Sequence, residues 1–295
     1  MHGISVVICS ITPSPTPAHL DVVRRILAQA RVGDEVVIVA PERWQAVESI
    51  PAEGITRTIL VDHSLCGLSR ARNDGLAVVA RPLVAFCDDD GIPADGWLDA
   101  IRSGLVKEGF DAVSGRTLSP RSGETMFFGG RVDRCGWLIS ADTPRKNGQL
   151  LNLHGCNMAF RTKAINSIGG FDSRIGYYFD ETDVAIRMQR AGRKIGHLSG
   201  MVVFHEGARG RPFDPGRWRE QVSNISYVVT KNFGIHSLGC LPLRIGYEFL
   251  SGLRRSRRWP PASGDRPAPI LMLGAAVVAT LASMIAGLRA RKGTG

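Results

Sequence analysis

From Ile4 to Phe204 the chain keeps switching between short apolar runs and stretches with helical spacing. This alternation restricts the fold more than any other feature of the sequence. Ile4–Ser10 reads as a buried strand, and Glu35–Ala40, Thr56–Asp62, Leu83–Cys87 and Ala112–Gly115 read as further strands. Between the first two, Thr16-Pro17 offers an N-cap and a first-turn proline ahead of Leu20, Val23, Leu27 and Ala30. Leu68 to Ala80 reads as a helix, and Trp97, Ile101 and Leu105 mark another. Strands separated by helices predict an α/β fold with a mostly parallel, doubly wound central sheet.

Thr117 to Asn147 breaks the pattern: it is rich in Gly, Arg and Ser, has weak periodicity, and reads as one long functional loop. Asn157–Arg161 then reads as a strand, Val184, Met188 and Ala191 as a helix closed by Gly192, and Met201–Phe204 as a short strand ending at His205. Asp214-Pro215 caps a helix carrying Trp218, Val222, Ile225 and Val229. Leu241–Leu253 has amphipathic spacing, and Arg254–Pro269 is basic and proline-rich. Ile270–Leu288 is nineteen residues without a charge, close to the length that crosses a bilayer core. The expected organisation is a catalytic α/β domain over 1–235, an amphipathic and basic linker over 236–269, and a transmembrane or membrane-inserted helix over 270–288.

The formal net charge is +10, and from Gly252 onward eight Lys/Arg face only Asp265, so this tail carries +7 and the preceding residues +3. A nucleic-acid binder should instead show a basic face on its folded domain. Charge beside an apolar segment favours anionic lipid, and no nucleic-acid partner is expected. The basic cluster upstream of the apolar segment outweighs the one downstream, which places the first domain on the cytoplasmic face of the cell membrane. The six cysteines, Cys9, Cys66, Cys87, Cys135, Cys156 and Cys240, form no C-x-x-C pair. They read as reduced thiols of a reducing compartment, and no cleavable leader is expected.

Two motifs carry chemistry. Asp88-Asp89-Asp90 directly follows an apolar strand, where open α/β sheets bind their ligands. Three adjacent carboxylates repel unless a cation or solvent relieves them, and such a cluster suits Mg²⁺ or Mn²⁺ as well as a solvated turn. Gly67-Leu68-Ser69-Arg70-Ala71-Arg72-Asn73-Asp74-Gly75 opens the preceding helix. Ser69 is placed to cap it, and the guanidinium groups have the fork geometry for a diphosphate.

Taken in order, Ser5-Val6-Val7-Ile8, Ser69-x-Ala71-Arg72-Asn73-x-Gly75, Asp88-x-Asp90, Gly169-Gly170-Phe171-Asp172, Asp180-Glu181-Thr182-Asp183-Val184 with Arg187, and His205 after an apolar strand resemble a family 2 glycosyltransferase of the GT-A fold. The resemblance implies inverting transfer of a sugar from a nucleotide-diphosphate-sugar donor to a carbohydrate or lipid-linked acceptor, in polysaccharide or glycolipid synthesis. It implies a divalent metal, Mn or Mg, at Asp90, Asp88 and His205, and donor contacts from Ser69, Arg72, Asn73, Asp88 and Asp89. Glu181 matches the catalytic base, where the family usually has Asp, and Asp180 the neighbouring acid that holds acceptor. Arg209, in a glycine-flanked loop, is placed to meet the diphosphate. Where the family often has an Asp to read the base, this chain has Val39-Ala40-Pro41-Glu42. A metal-dependent nucleotidyltransferase is the rival enzyme, but Thr12-Pro13-Ser14-Pro15 stands where its phosphate loop should follow the first strand. A non-catalytic nucleotide-sugar-binding scaffold is the rival without turnover.

Overall fold

A computed structural model describes residues 2–61, 67–140, 146, 148–205, 212–237, 239–258 and 269–292. In chain order the elements are β1 Ile4–Cys9, α1 Pro17–Gln29, β2 Glu35–Ala40, α2 Gln45–Glu48, β3 Thr56–Val61, α3 Leu68–Val78, β4 Leu83–Asp88, β5 Ile92–Pro93 and α4 Trp97–Arg102. Then come β6 Ala112–Leu118, β7 Thr125–Phe127, β8 Arg131–Val132, β9 Leu138–Ile139, β10 Leu150–Leu151, β11 Asn157–Arg161, α5 Thr162–Ser167 and α6 Asp180–Arg190. The last are β12 Ile195–Phe204, α7 Pro215–Phe233, α8 Leu241–Arg258 and α9 Pro269–Lys292.

The main sheet runs β3-β2-β1-β4-β11-β6-β12-β5, with β7 beside β6. β3, β2, β1 and β4 are parallel, as is the long β6–β12 pair. β11 runs antiparallel to both its neighbours and joins the two parallel blocks. Because side chains alternate across a strand, β1 supplies both layers of the core. Val6 and Ile8 pack under α1 and α4 with Val22, Ile26 and Ile101. Val7 faces the other layer with Leu76, Phe86, Val184 and Met188.

Local chemistry sets the helix starts. The Thr16 hydroxyl accepts from His19 N at 3.4 Å, and the His19 ring accepts from Thr16 N at 3.2 Å. Asp214 accepts from the backbone N–H of Gly216 and Arg217 at 2.8 and 3.1 Å. Such caps satisfy amides that the first helical turn leaves without partners.

Four expectations change. The loop expected over Thr117–Asn147 contains the end of β6, then β7, β8 and β9, and β10-β8-β9 form a second small sheet. Strands of two or three residues are too short to display a period of two. The strand expected at Met201–Phe204 begins at Ile195, and an irregularity between Leu198 and Val202 conceals its alternation. Gly115 sits opposite that irregularity, where a Cβ would fall 1.7 Å from the Met201 carbonyl oxygen. The reading of six reduced thiols holds for Cys9, Cys87 and Cys156 alone among the described residues. Cys135 and Cys240 are joined as a disulfide, 105 residues apart in sequence with Cα atoms 5.8 Å apart. Finally, Arg254–Arg258 belong to α8 rather than to a linker.

Candidate active site

β1 and β4 are neighbours in register, Cys9 beside Asp88, so the chain leaving both strands meets at the same sheet edge. There the three aspartates turn to different partners. Asp89 accepts a hydrogen bond from the Ser10 hydroxyl and lies 3.8 Å from His19 Nε2. Burial pushes its carboxyl up, against the opposing effects of Ser10 and His19. Asp88 Oδ1 meets Arg72 Nη2 at 3.4 Å, and its Oδ2 lies 3.8 Å from His205 Nε2. Asp90 Oδ1 lies 3.0 Å from the same nitrogen.

Asp88, Asp90 and His205 each offer a ligand atom, all within 4.8 Å of one another. Two carboxylates and an imidazole on one open edge fit a hard divalent ion that keeps positions for phosphate oxygens. β4 supplies Asp88, the turn after it Asp90, and the end of β12 brings His205, whose N–H donates to Leu118 O at 3.0 Å. Burial alone would lower the His205 pKa, but the Asp90 hydrogen bond, Cys156 and Asp88 hold it up at about 11. A cation at these atoms therefore has to displace a proton.

Arg72 joins this edge to the second acidic motif. Its guanidinium is almost fully buried, with 2% of the residue exposed, and pairs with Asp180 through Nη1. Nη2 serves Asp88 and donates to Gly155 O at 3.0 Å, and the group lies 5.6 Å from the centre of the Phe171 ring. Burial opposes its charge, but Asp180 and then Asp88 outweigh that and raise its pKa further.

Asp180 is sealed under Arg72, whereas Glu181 is half-buried. Burial, then the Asp180 charge and a hydrogen bond to it, push the Glu181 carboxyl well above the usual range, with Arg72 opposing. The two adjacent acids are thus differentiated: Asp180 is paired with Arg72, and Glu181 is the one whose proton affinity is raised. The backbone entering α6 is held in an unusual form. Tyr178 and Phe179 have φ of 74° and 75°, a conformation that costs a non-glycine residue about 1–3 kcal/mol. Asn224 of α7 donates to Tyr177 O at 2.6 Å and holds this turn in place.

Behind the motif is a buried ionic brace. Lys231 of α7 reaches Asp172 and Asp183 at 2.8 Å each. Asp183 also accepts from Arg187 Nε at 2.7 Å and Asn232 Nδ2 at 2.8 Å. Tyr227 donates to Asp172 at 2.7 Å. The sequence gives no spacing from which Lys231 could be picked out. His154 and Cys156 likewise belong to no motif of the sequence, yet their side chains lie 3.4 Å apart beside Thr117, and Phe127 stacks on His154. Burial opposes ionisation of the Cys156 thiol, but His154 and His205 bring it down to about 6.

The expected donor residues divide. Arg72 and Asp88 meet as described, and Asp89 turns towards Ser10 and His19. Asn73 is committed to backbone: its amide donates to Phe171 O and accepts from Phe171 N, both at 2.8 Å, so it fastens the Gly169-Gly170-Phe171-Asp172 turn. Ser69 is fully buried, and among the described residues its hydroxyl has no hydrogen-bond partner. It is not the cap of α3, because that position falls to Gly67, whose φ is 99°. A Cβ there would lie 2.8 Å from Gly176 Cα. Arg209 lies outside the described residues.

Three similarities bear on this arrangement. "Pre-mycofactocin glycosyltransferase" of Mycobacterium tuberculosis is 27% identical over 215 residues, covering 66% of this chain but 44% of that protein. The chain thus spans less than half the length of that relative. "Glucosyl-dolichyl phosphate glucuronosyltransferase" of Haloferax volcanii is 24% identical over 220 residues, 69% of each chain. The fold matches a mannosyltransferase from Pyrobaculum calidifontis, solved with GDP-Man and Mn²⁺, with a TM-score of 0.57, 17% identity, and 99% and 86% of the two chains covered. The strand-end aspartates, the Arg72 pair and the acidic start of α6 all fall within residues 2–218, which match the model of "Glycosyltransferase like family 2", and to that family the chain belongs.

Proposed function

We propose that this glycosyltransferase moves a sugar, with inversion, from a nucleoside-diphosphate sugar to a hydroxyl of a carbohydrate or lipid-linked acceptor. The placement proposed is the cytoplasmic face of the cell membrane. One observation carries the reading: Arg72 neutralises one acid of each motif, Asp88 and Asp180, and leaves Asp90 beside His205 and Glu181 with a raised proton affinity.

Asp88, Asp90 and His205 would hold a divalent ion, Mn or Mg, which would supply charge neutralisation for the leaving diphosphate. Asp89, hydrogen-bonded to Ser10, lines the donor side of the same edge. Glu181 accepts the proton of the acceptor hydroxyl at its carboxylate as the oxygen attacks C1 from the face opposite the diphosphate. Its raised proton affinity suits that work, since it makes the carboxylate a stronger base than an ordinary one. Asp180, buried under Arg72, is withheld from acting as a nucleophile, which supports single displacement over a covalent sugar intermediate. The brace from Lys231 to Asp172 and Asp183 keeps the start of α6 in position. The lipid-linked reading draws support from the Haloferax volcanii relative, whose name includes glucosyl-dolichyl phosphate.

The test is nucleoside-diphosphate release from a panel of nucleotide sugars with Mn²⁺ or Mg²⁺, followed by assignment of the product anomer by NMR. Release of pyrophosphate would indicate a nucleotidyltransferase. Retention at the anomeric carbon would overturn the single displacement.

A further inference from the structure

α9 is long and apolar enough to cross a membrane, with mean hydropathy 1.7 over Met272–Arg291. The packing argues for another disposition. α9 follows α7 in the same direction along its length. Met272 and Ala276 pack with Trp218 and Val222. Further along, Thr280 meets Ser226, and a Cβ on Gly287 would lie 2.8 Å from Tyr227 O. At the end Arg291 donates to Asn232 O at 2.6 Å. α7 in turn is fixed to the catalytic core through Asn224, Tyr227, Lys231 and Asn232. If α9 stood across a bilayer in this packing, α7 and the Lys231 brace would have to enter the hydrocarbon with it. Charged groups are too costly there without specific need.

The opposite side of α9 is exposed among the described residues. Leu273, Val277, Val278, Leu281 and Ile285 are 41%, 38%, 68%, 54% and 53% exposed, and no charge occurs from Ile270 to Leu288. α8 adds a second stripe. Leu243, Tyr247 and Leu250 are 74%, 50% and 52% exposed, and the same helical face continues to exposed Arg254 and Arg257. The two helices pack together where Ile245, Phe249 and Leu253 meet Met272 and Ala276. Both apolar stripes thus end in arginines, at Arg254 and Arg257 on α8 and at Arg289 on α9. That combination of an apolar face with basic ends is the pattern of helices lying in a lipid interface.

We propose that the exposed faces of α8 and α9 form a docking surface for an anionic lipid bilayer, on which the enzyme lies peripherally with both helices in the interface plane. The assignment deepens the membrane placement proposed above and rests on it, but not on sugar transfer.

The test uses the purified full chain in flotation with phosphatidylglycerol or phosphatidylcholine vesicles, and alkaline carbonate extraction of cell membranes. The variants are Leu243→Ser/Leu250→Ser, Val278→Ser/Leu281→Ser and Arg254→Gln/Arg257→Gln, each checked for unchanged circular dichroism and melting. The expected result is binding to phosphatidylglycerol, loss in both apolar variants, weakening on the order of 25-fold for the paired arginine variant, and release of the wild type by carbonate. Carbonate-resistant retention would overturn the in-plane mode while leaving membrane placement intact. Equal binding to both lipids, unaffected by the arginine changes, would also overturn it. If the apolar variants turn a dimer into a monomer without changing flotation, a second copy covers the face and the proposal fails. A chain that stays soluble in cells and binds neither vesicle removes the membrane placement together with this surface.

Discussion

Changing Glu181 to Gln should stabilise the folded protein while removing most of its turnover. Burial and the Asp180 charge hold the Glu181 carboxyl well above the ordinary range. The folded state therefore favours the protonated acid. Stability from such a group is complete below its unfolded value, about 4.3, and is lost as pH rises through the folded value. Near neutral pH the wild type carries a penalty of about 1.4 kcal/mol for every tenfold increase in proton affinity. Gln keeps the shape and has no charge to desolvate, so this penalty disappears. The simpler account of three acids in the first turn of α6 is capping by the helix dipole. It has the opposite sign: losing one such charge should destabilise by about 0.3–1 kcal/mol and leave turnover alone. Loss of a general base lowers the rate by about 10²–10⁴-fold. Urea melts of both proteins at about pH 5 and about pH 8, with turnover and donor binding on the same preparations, separate the two. The base reading requires the stability gain to grow between the two pH values, with donor affinity kept. A variant that is weaker at the higher pH and still turns over would refute it.

Three further outcomes are expected. Because His205 is held protonated up to about 11 by Asp90, Cys156 and Asp88 against burial, apparent Mn²⁺ affinity measured by calorimetry should rise about tenfold per pH unit below that value. Asp90→Asn should abolish metal-dependent turnover yet melt normally. Lys231→Met should cost about 3–5 kcal/mol in denaturant melts, because it leaves buried Asp183 and Asp172 with less compensation. Asp172 is held below the usual carboxylate range by Arg174, Lys231 and Tyr227 despite burial. Its contribution is therefore present above the unfolded value and lost as pH falls, so the acid-dependent decline of the wild type should be smaller in the variant, where Arg174 and Tyr227 remain. Reducing Cys135–Cys240, which spans 105 residues, should lower stability by about 4–5 kcal/mol on a chain-entropy basis. Maleimide labelling of the denatured chain before and after reduction should show both cysteines protected until reductant is added.

What was legible in the sequence was mostly local. The Thr16-Pro17 and Asp214-Pro215 caps, the buried β1 and β4, and Asp88–Asp90 at a strand end all depend on residues adjacent in the chain. The features that escaped are long-range. Lys231 lies 59 residues from Asp172 and 48 from Asp183. Cys135 and Cys240 have no pattern between them, since a spacing of 105 residues says nothing until the fold brings them together. Ser69 misled for a different reason. A serine near a helix start is a common cap, but here Gly67 takes that position because the chain passes too close to Gly176 for any side chain. β12 escaped because its irregularity opposite Gly115 removes the alternation by which strands are recognised.

The role of Arg72 shows why residue type alone did not assign the site. Its position in the helix after Gly67 suggested a hand for the donor diphosphate, yet it is buried and turned inward. A single guanidinium with partners on both sides can stabilise one carboxylate in each of two acidic groups. Without it, Asp180 would be a buried carboxylate with no ion-pair partner directly before Glu181. With it, Asp180 is ion-paired, and burial and then the Asp180 charge raise the proton affinity of Glu181. At the other end Asp88 is partly neutralised, which lessens its repulsion of Asp90 and leaves a charge suited to one divalent ion. Arg72→Lys tests this coupling better than deletion does. A lysine keeps the charge but has no planar fork to reach Asp180, Asp88 and Gly155 O together. If the coupling is real, that one change should weaken Mn²⁺ binding and shift the acid limb of the pH–rate profile in the same variant. A shift in one without the other would mean that the two acidic motifs work independently.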